Sequence, residues 1–260
     1  MMRATSGSTS RRAVLGALLV LLLASPGAAQ REDAVPADAE LRAPSGNQPQ
    51  QEAAQRSREE RARPVVYKPP RRGSPKDGRV AGASRGNTAL PHLLALAPDH
   101  VGWTQSASPS LFWHLDGVPP ETARIVFTLA LADGVEPLVE RALPLPAAAG
   151  IQRIRLADFG VMLSPDVDYA WSVSLLAGDD RAADLVSEGS LRLVGGDVLG
   201  GRPASARVFA AQGLWYDALE ALSDALDDTP SDLELRAQRD SLLRQAGLEP
   251  ALSQRPQASH

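Results

Sequence analysis

The stretch VDYAWSVSLL, residues 167–176, alternates large apolar side chains with small or polar ones along most of its length. Successive side chains of an extended strand point to opposite faces, so Tyr169, Trp171, Val173 and Leu175 share one face. This alternation is typical of a β-strand that packs one side against a core. We therefore predict a strand here, with Trp171 as a core residue.

Six further runs of similar length lie on either side of this stretch, separated by turn-forming segments such as DGVPPE and DGVEP. They are HLLALA (92–97), SLFWHL (110–115), ARIVFTLALA (123–132), LVERAL (138–143), IQRIRL (151–156) and VSEGSLRL (186–193). Seven short strands at this spacing predict an antiparallel β-sandwich over residues 90–194. Within SLFWHL, Trp113 faces the core, whereas His114 faces the other side, where we expect it to form an outer polar pair with Asp116.

The segment 203–248 changes to helical periodicity and predicts three helices. Pro230 ends the second helix, and SDLE (231–234) resembles a capping box in which Ser231 caps the third. The third helix is expected to end with Gly247 in the left-handed conformation. The chain is therefore predicted to be mainly β, with a C-terminal helical unit.

The N-terminal residues 1–29 have the layout of a secretory signal peptide, with basic residues, an apolar run at 13–24, and cleavage after Ala29. The apolar run is well short of the roughly 20 residues that a spanning helix needs. Arg11 and Arg12 also fit a twin-arginine export signal, and the choice of export route stays open. We expect an exported protein, periplasmic or secreted, that keeps no stable membrane anchor after cleavage.

Four further segments lack the apolar periodicity of a folded element. They are interpreted as a disordered linker (30–63), a basic loop rich in Pro, Gly and Arg (64–89), a glycine-rich hinge (195–202) and a disordered tail (249–260). In the basic loop, cations that include Arg71, Arg72 and Arg85 face a single acid. The loop either holds an anionic partner or is simply a solvated surface loop.

The composition excludes several kinds of chemistry. The chain has no cysteine, so disulfides, thiolate zinc sites and cysteine nucleophiles are ruled out. The formal net charge is −4, and loss of the three arginines of the leader lowers it to −7, which gives no reason to expect nucleic acid as a partner. No metal-ligand spacing or nucleotide motif occurs, so we expect neither a metal nor a cofactor.

Two parts of the chain resemble known folds. AAQGLWYDALEALSDALDDTP (210–230) resembles the second half of a tetratricopeptide repeat, with Gly213 and Trp215 at its glycine and aromatic positions. SPSLFWHL and LSPDVDYAWSVSL are similar to strands of immunoglobulin-like, fibronectin-type sandwiches. That likeness makes Tyr169 a candidate tyrosine corner, whose hydroxyl bonds back to upstream backbone.

Over residues 67–250 the chain resembles domain-of-unknown-function family 928, through YKPPRRGSP, GASRG, SPSLFWHL, DYAWSVSL and AAQGLWYDALEAL. The family's loop usually has further glycines and a threonine where this chain has Ala83 and Ser84. The resemblance implies an exported protein with a sandwich and helices, and it implies no activity.

GASRG (82–86) also fits the serine-hydrolase pattern G-x-S-x-G, which would make Ser84 a nucleophile. A hydrolase elbow needs a strand-to-helix turn above a parallel sheet. Here no helical pattern follows Gly86, and NTALPH leads into a predicted strand. We interpret the match as accidental and keep a serine hydrolase as a remote alternative.

The favoured hypothesis is a non-catalytic module of the cell envelope that binds or scaffolds an envelope or secreted protein. Trp215 and Tyr216 are the candidate partner anchors, because paired aromatic residues often form binding hot spots, and the alternative for both is core packing. The acids of the second helix would give it a negative face; they are Asp217, Glu220, Asp224, Asp227 and Asp228. The second hypothesis is a sandwich that binds carbohydrate or another cell-envelope polymer through Trp103.

Overall fold

The computed structural model describes residue 52 and residues 63–70, 90–177 and 185–252. Eight strands in two sheets precede three helices within these ranges. The strands are β1 (Leu93–Ala95), β2 (Gly102–Thr104), β3 (Ser110–Leu115), β4 (Arg124–Leu131), β5 (Pro137–Leu143), β6 (Gly150–Arg155), β7 (Asp168–Leu176) and β8 (Leu185–Leu193). A short 3-10 helix, Leu156–Phe159, follows β6.

The three-stranded sheet has the order β1-β3-β6, and the five-stranded sheet has the order β2-β8-β7-β4-β5. All seven predicted strands are confirmed in this arrangement. The prediction of a wholly antiparallel sandwich is wrong at one place, because β2 runs parallel to β8. After β1 the chain crosses to the other sheet, and β2 then joins the edge of β8 in the same direction.

The apolar residues of the two sheets form the core. Trp113 of β3 and Trp171 of β7 are both buried, as the alternating pattern predicted. The hydroxyl of Tyr169 accepts a hydrogen bond of 2.9 Å from the backbone N–H of Ser164, which confirms the predicted bond to upstream backbone. Truncation of either tryptophan to alanine would cost about 3–5 kcal/mol, the range for large aromatic residues in a core.

The helices are α1 (Ala206–Ala211), α2 (Trp215–Asp228) and α3 (Leu233–Gln245). The prediction that Ser231 caps α3 is wrong by one residue. Because α3 begins at Leu233, Asp232 is the N-cap, and its carboxylate accepts hydrogen bonds from the first turn of the helix. After α3, Gly247 has the predicted positive φ, of 67°.

The outer face of the three-stranded sheet is covered, because α2 contacts β3. All six residues of β3 are consequently buried, although only one face of the strand lies against the core of the sandwich. The prediction that His114 lies on an outer, exposed face is therefore wrong: His114 is 3% exposed. Burial lowers the pKa of its imidazole, and the nearby charge of Asp116 partly offsets this shift. Asp116 also accepts a hydrogen bond from the backbone N–H of His92.

Residues 63–70, which the sequence assigns to the linker and the basic loop, are docked against the helices. Val65 and Tyr67 are buried. The side chain of Gln245 holds this segment: its Oε1 accepts from the N–H of Tyr67 at 2.8 Å, and its Nε2 donates to the carbonyl of Val65 at 2.9 Å. Lys68 N–H donates to the carbonyl of Ala210. The folded unit therefore begins before the sandwich.

The described chain also continues past the point where the sequence predicts a disordered tail. Residues Glu249–Leu252 form a 3-10 helix, and Ala251 is buried against the core. Among all the described residues, no helix is both long and apolar enough to cross a membrane.

Candidate functional site

Trp215 and Tyr216, the predicted partner anchors, are both 0% exposed. Trp215 Nε1 donates a 2.9 Å hydrogen bond to the carbonyl of Leu96, between β1 and β2. The hydroxyl of Tyr216 accepts from Trp171 Nε1 at 2.9 Å and donates to the carbonyl of Ser190 at 2.9 Å. Both aromatic residues therefore join α2 to the sandwich, which is the core-packing alternative, and neither presents a surface to a partner.

Two glycines leave room for these rings. A Cβ atom on Gly102 would lie 2.7 Å from Cε2 of Tyr216, and one on Gly189 would lie 2.7 Å from Nε1 of Trp171. Both distances are far shorter than normal van der Waals contact. The sandwich is thus shaped to receive the first turn of α2.

Two acids of α2, Asp217 and Glu220, also face the sandwich. Both carboxylate oxygens of Asp217 accept from the N–H of Gln105, at 3.2 and 3.1 Å. Burial raises the pKa of Asp217 to about 6, partly offset by these hydrogen bonds. Glu220 accepts from both the N–H and the hydroxyl of Ser110. The hypothesis of an acidic face offered to a partner is therefore wrong for these residues, because the strands already occupy their carboxylates.

A chain of hydrogen bonds links Asp99, His100 and Tyr67. Asp99 Oδ1 lies 3.0 Å from His100 Nδ1, and His100 Nε2 lies 2.8 Å from the Tyr67 hydroxyl. The order resembles a catalytic triad that ends in a phenol. Burial, reinforced by Tyr216 and Asp99, raises the pKa of Tyr67 far above its usual value. These hydrogen bonds, together with the stacking of the two rings, whose centroids are 5.9 Å apart, hold His100 against Tyr67.

A cleft of about 170 Å³ opens between β6 and the helices α2 and α3. It is lined by Phe112, Ile151, Gln152, Arg153, Arg155, Ser223, Asp227 and Arg239. Arg153 lies over the ring of Phe112, with its guanidinium carbon 4.9 Å from the ring centroid. Its Nη1 is 2.6 Å from Asp224 Oδ1, and its Nη2 is 3.4 Å from Asp227 Oδ2.

Several polar atoms of this cleft are buried without a hydrogen-bond partner among the described residues. They are Ser223 Oγ, Arg239 Nε and Arg153 Nη2, of which Arg153 Nη2 still has the ion pair with Asp227. Ser223 is 3% exposed. Arg239 is partly buried, and this burial lowers the pKa of its guanidinium. Unpaired buried donors of this kind cost about 1–3 kcal/mol each, more when charged, and a ligand oxygen would relieve that cost.

Of the predicted site residues other than Trp215 and Tyr216, the structure describes only Trp103. Trp103 lies in β2 beside Arg192 of β8 and is only partly buried. Arg71, Arg72, Arg85 and Ser84 lie outside the described residues. No group of three or more histidine and acidic side chains within the described ranges is arranged to hold a metal ion.

Sequence reasoning missed the cleft itself. The run IQRIRL places Arg153 and Arg155 on one face of a strand, and this pattern was visible before the structure. That Arg239 of α3 meets the same face depends on how the helices dock, which no local pattern encodes.

Fold and site together define a mainly β protein of two sheets, with a docked C-terminal helical unit and an arginine-lined cleft between them. The model of the family Domain of Unknown Function (DUF928) matches residues 80–257, more than half of the 260-residue chain. The chain therefore belongs to this family. No curated protein is similar enough to the chain to count as a match.

Proposed function

We propose that the chain is an exported, non-catalytic interaction module of the cell envelope, which binds an envelope or secreted protein. The observation that carries the proposal is the cleft, where Ser223 Oγ and Arg239 Nε are buried polar atoms that no described residue pairs. Such atoms are costly in a folded protein, and a binding partner is one reason to retain them.

The fold that we propose is immunoglobulin-like. If β1, β3 and β6 are strands A, B and E, and β4, β7 and β8 are strands C, F and G, the order A-B-E and C-F-G of that sandwich is obtained. The bond between Tyr169 and Ser164 supports this assignment. Sandwiches of this kind serve many binding functions, so the fold alone does not identify the function. The proposed function therefore rests on the cleft.

We further propose that α1 and α2 form a single hairpin of tetratricopeptide type. Gly213 supports this, because it lies between the helices with a φ of 79°. Three or more repeats are normally needed for a self-standing superhelix. A single hairpin needs another surface to pack against, and here the sandwich provides that surface.

Export is supported by the leader pattern of residues 1–29, with its basic start, apolar run and small residues before Ala29. A non-catalytic role is supported by the sequence around Ser84, because no helical pattern follows Gly86 as a hydrolase elbow would need. Turnover of a generic ester by the full chain, lost in Ser84→Ala, would reinstate the hydrolase alternative.

Site-specific photocrosslinking in living cells tests the proposal. A photoreactive amino acid at Arg155, on the rim of the cleft, is compared with one at Arg124, which is exposed at the start of β4 in the other sheet. We expect one envelope or secreted protein, identified by mass spectrometry, to be captured at Arg155 and not at Arg124. No capture, or the same products at both positions, would contradict the proposal.

A further inference from the structure

One edge of the three-stranded sheet is open beside the cleft. In the pairing of β6 with β3, Leu111 lies opposite Ile154 and Trp113 lies opposite Gln152. Leu156, two residues beyond Ile154, donates its N–H to Pro109 of the β3 side. Because hydrogen-bonded pairs alternate in an antiparallel ladder, the even-numbered residues of β6 bond to β3. The odd-numbered residues therefore direct their N–H and C=O groups away from the sheet.

These outward groups belong to Ile151, Arg153 and Arg155, and the described residues offer them no backbone partner. All three residues line the cleft, as does Gln152 between them. Neighbouring residues of a strand point their side chains to opposite faces of the sheet. A cleft that is lined by both therefore reaches the edge of the strand. The open backbone groups and the unpaired side-chain atoms of the cleft are therefore parts of one surface.

The charges of this surface are unequally paired. Arg153 already has two carboxylate partners, Asp224 and Asp227. Arg239 is held without an ion pair to any described carboxylate, although Asp227 and Asp240 are near enough to affect its pKa. Arg155 is exposed and likewise has no ion pair among the described residues. Positive charge is thus left over where the strand edge is open.

We propose that β6 accepts an extended segment of a partner protein as an added strand, and that an acidic side chain of this segment binds Arg239 and Arg155 in the cleft. Main-chain hydrogen bonds to the odd-numbered residues would give affinity, and the carboxylate would give specificity. This inference rests on the proposed function, since it names the chemistry of the partner at the same cleft.

Edge protection is the competing explanation, because charged side chains on an edge strand commonly prevent unwanted pairing. An arginine that protects an edge strand has its charged side chain in solvent, and the exposed Arg155 meets this condition. Arg239 is different: it belongs to a helix, it is partly buried, and its Nε has no hydrogen-bond partner among the described residues. Such an arginine is suited to receiving a carboxylate, and it does nothing to block a strand edge.

The test uses the full chain and the capped peptide Thr-Val-Thr-Glu-Thr-Val-Thr, with binding followed by amide chemical shifts. A second peptide has Gln in place of Glu. Two further peptides carry backbone N-methyl groups on alternate residues, in the two possible phases, so that each blocks one edge of the added strand. We expect the Glu peptide to shift the amides of Ile151, Arg153 and Arg155, the Gln peptide to bind about tenfold more weakly, and one N-methylated peptide to lose binding.

Three variants assign the carboxylate site. Arg239→Gln should lower the affinity for the Glu peptide to that for the Gln peptide, and Arg155→Gln, on an exposed side chain, should weaken it without affecting the fold. Arg244→Gln, an exposed arginine of the same helix outside the cleft, is the matched control and should change nothing.

Absence of binding by the Glu peptide at millimolar concentration would overturn the inference, as would equal binding of the Gln peptide or of both N-methylated peptides. If photocrosslinking at Arg155 still captures one partner in these cases, the proposed function stands and only the acidic strand is wrong. If both experiments fail, the proposed function fails as well.

Discussion

Replacement of Tyr216 by phenylalanine removes one oxygen atom from the contact between α2 and the sandwich. In the native protein this hydroxyl accepts from Trp171 Nε1 and donates to the carbonyl of Ser190, each at 2.9 Å. The phenylalanine ring fits the same space beside Gly102, so the change alters hydrogen bonding and leaves the packing intact. It therefore isolates the polar part of the docking contact.

The magnitude follows from burial. Trp171 and Tyr216 are both buried, so the indole N–H of Trp171 would be left without a partner and without water. A buried donor that loses its partner costs about 1–3 kcal/mol, and we expect Tyr216→Phe to lower the free energy of unfolding by about 2 kcal/mol.

Urea denaturation followed by tryptophan fluorescence measures this change, and the slope with urea should match that of the native protein. Val135→Ala is the control, because Val135 is 99% exposed and its truncation should alter stability by less than about 0.5 kcal/mol. If Tyr216→Phe also changed stability by less than about 0.5 kcal/mol, the buried hydrogen bonds between α2 and the sandwich would be refuted.

Three further predictions follow from the same structure. Gly213→Ala should destabilise the protein by about 1–3 kcal/mol, because its φ is 79° and its Cβ would lie 2.9 Å from the carbonyl of Lys68; thermal denaturation measures this loss. Asp232→Ala should cost about 0.5–2 kcal/mol in urea denaturation, whereas Ser231→Ala should have little effect. Asp217 has a pKa raised from 3.8 to about 6, so the folded state binds its proton more tightly than the unfolded state. Its carboxylate therefore destabilises the fold above pH 6, and native stability relative to Asp217→Asn should rise as the pH falls from 7 towards 4, by at most about 3 kcal/mol.

The sequence predicted the strands well, because strands such as β4, β7 and β8 bury one face and so show a period of two. The run around Trp171 is the clearest case, and all eight residues from Asp168 to Leu175 pair with β8 as a continuous strand. β2 was missed because it has only three residues, which is too short for a period to be recognised. Its parallel pairing with β8 is a property of the chain path and not of local sequence.

The docking of the helices could not be read from the sequence. Periodicity identifies an apolar stripe on α2 but does not say whether a partner or the sandwich covers it. Likewise, the acids Asp217 and Glu220 look like a solvent-exposed face until the strands that pair with them are known. Tyr67 was assigned to a loop because its short apolar run is surrounded by prolines and arginines. The cleft depends on these tertiary contacts and was therefore beyond prediction.

The central claim is that the helical unit and the sandwich form one cooperative fold, whose boundary creates the cleft. Native-state hydrogen exchange of the full chain tests this directly, because it measures the opening free energy of each amide. We predict that amides in the middle of α2, such as that of Leu222, open with the same free energy as amides of β7, such as that of Val173. If the amides of α2 exchange through an opening several kcal/mol lower while β7 stays protected, the helices are a separate appendage and the claim is contradicted.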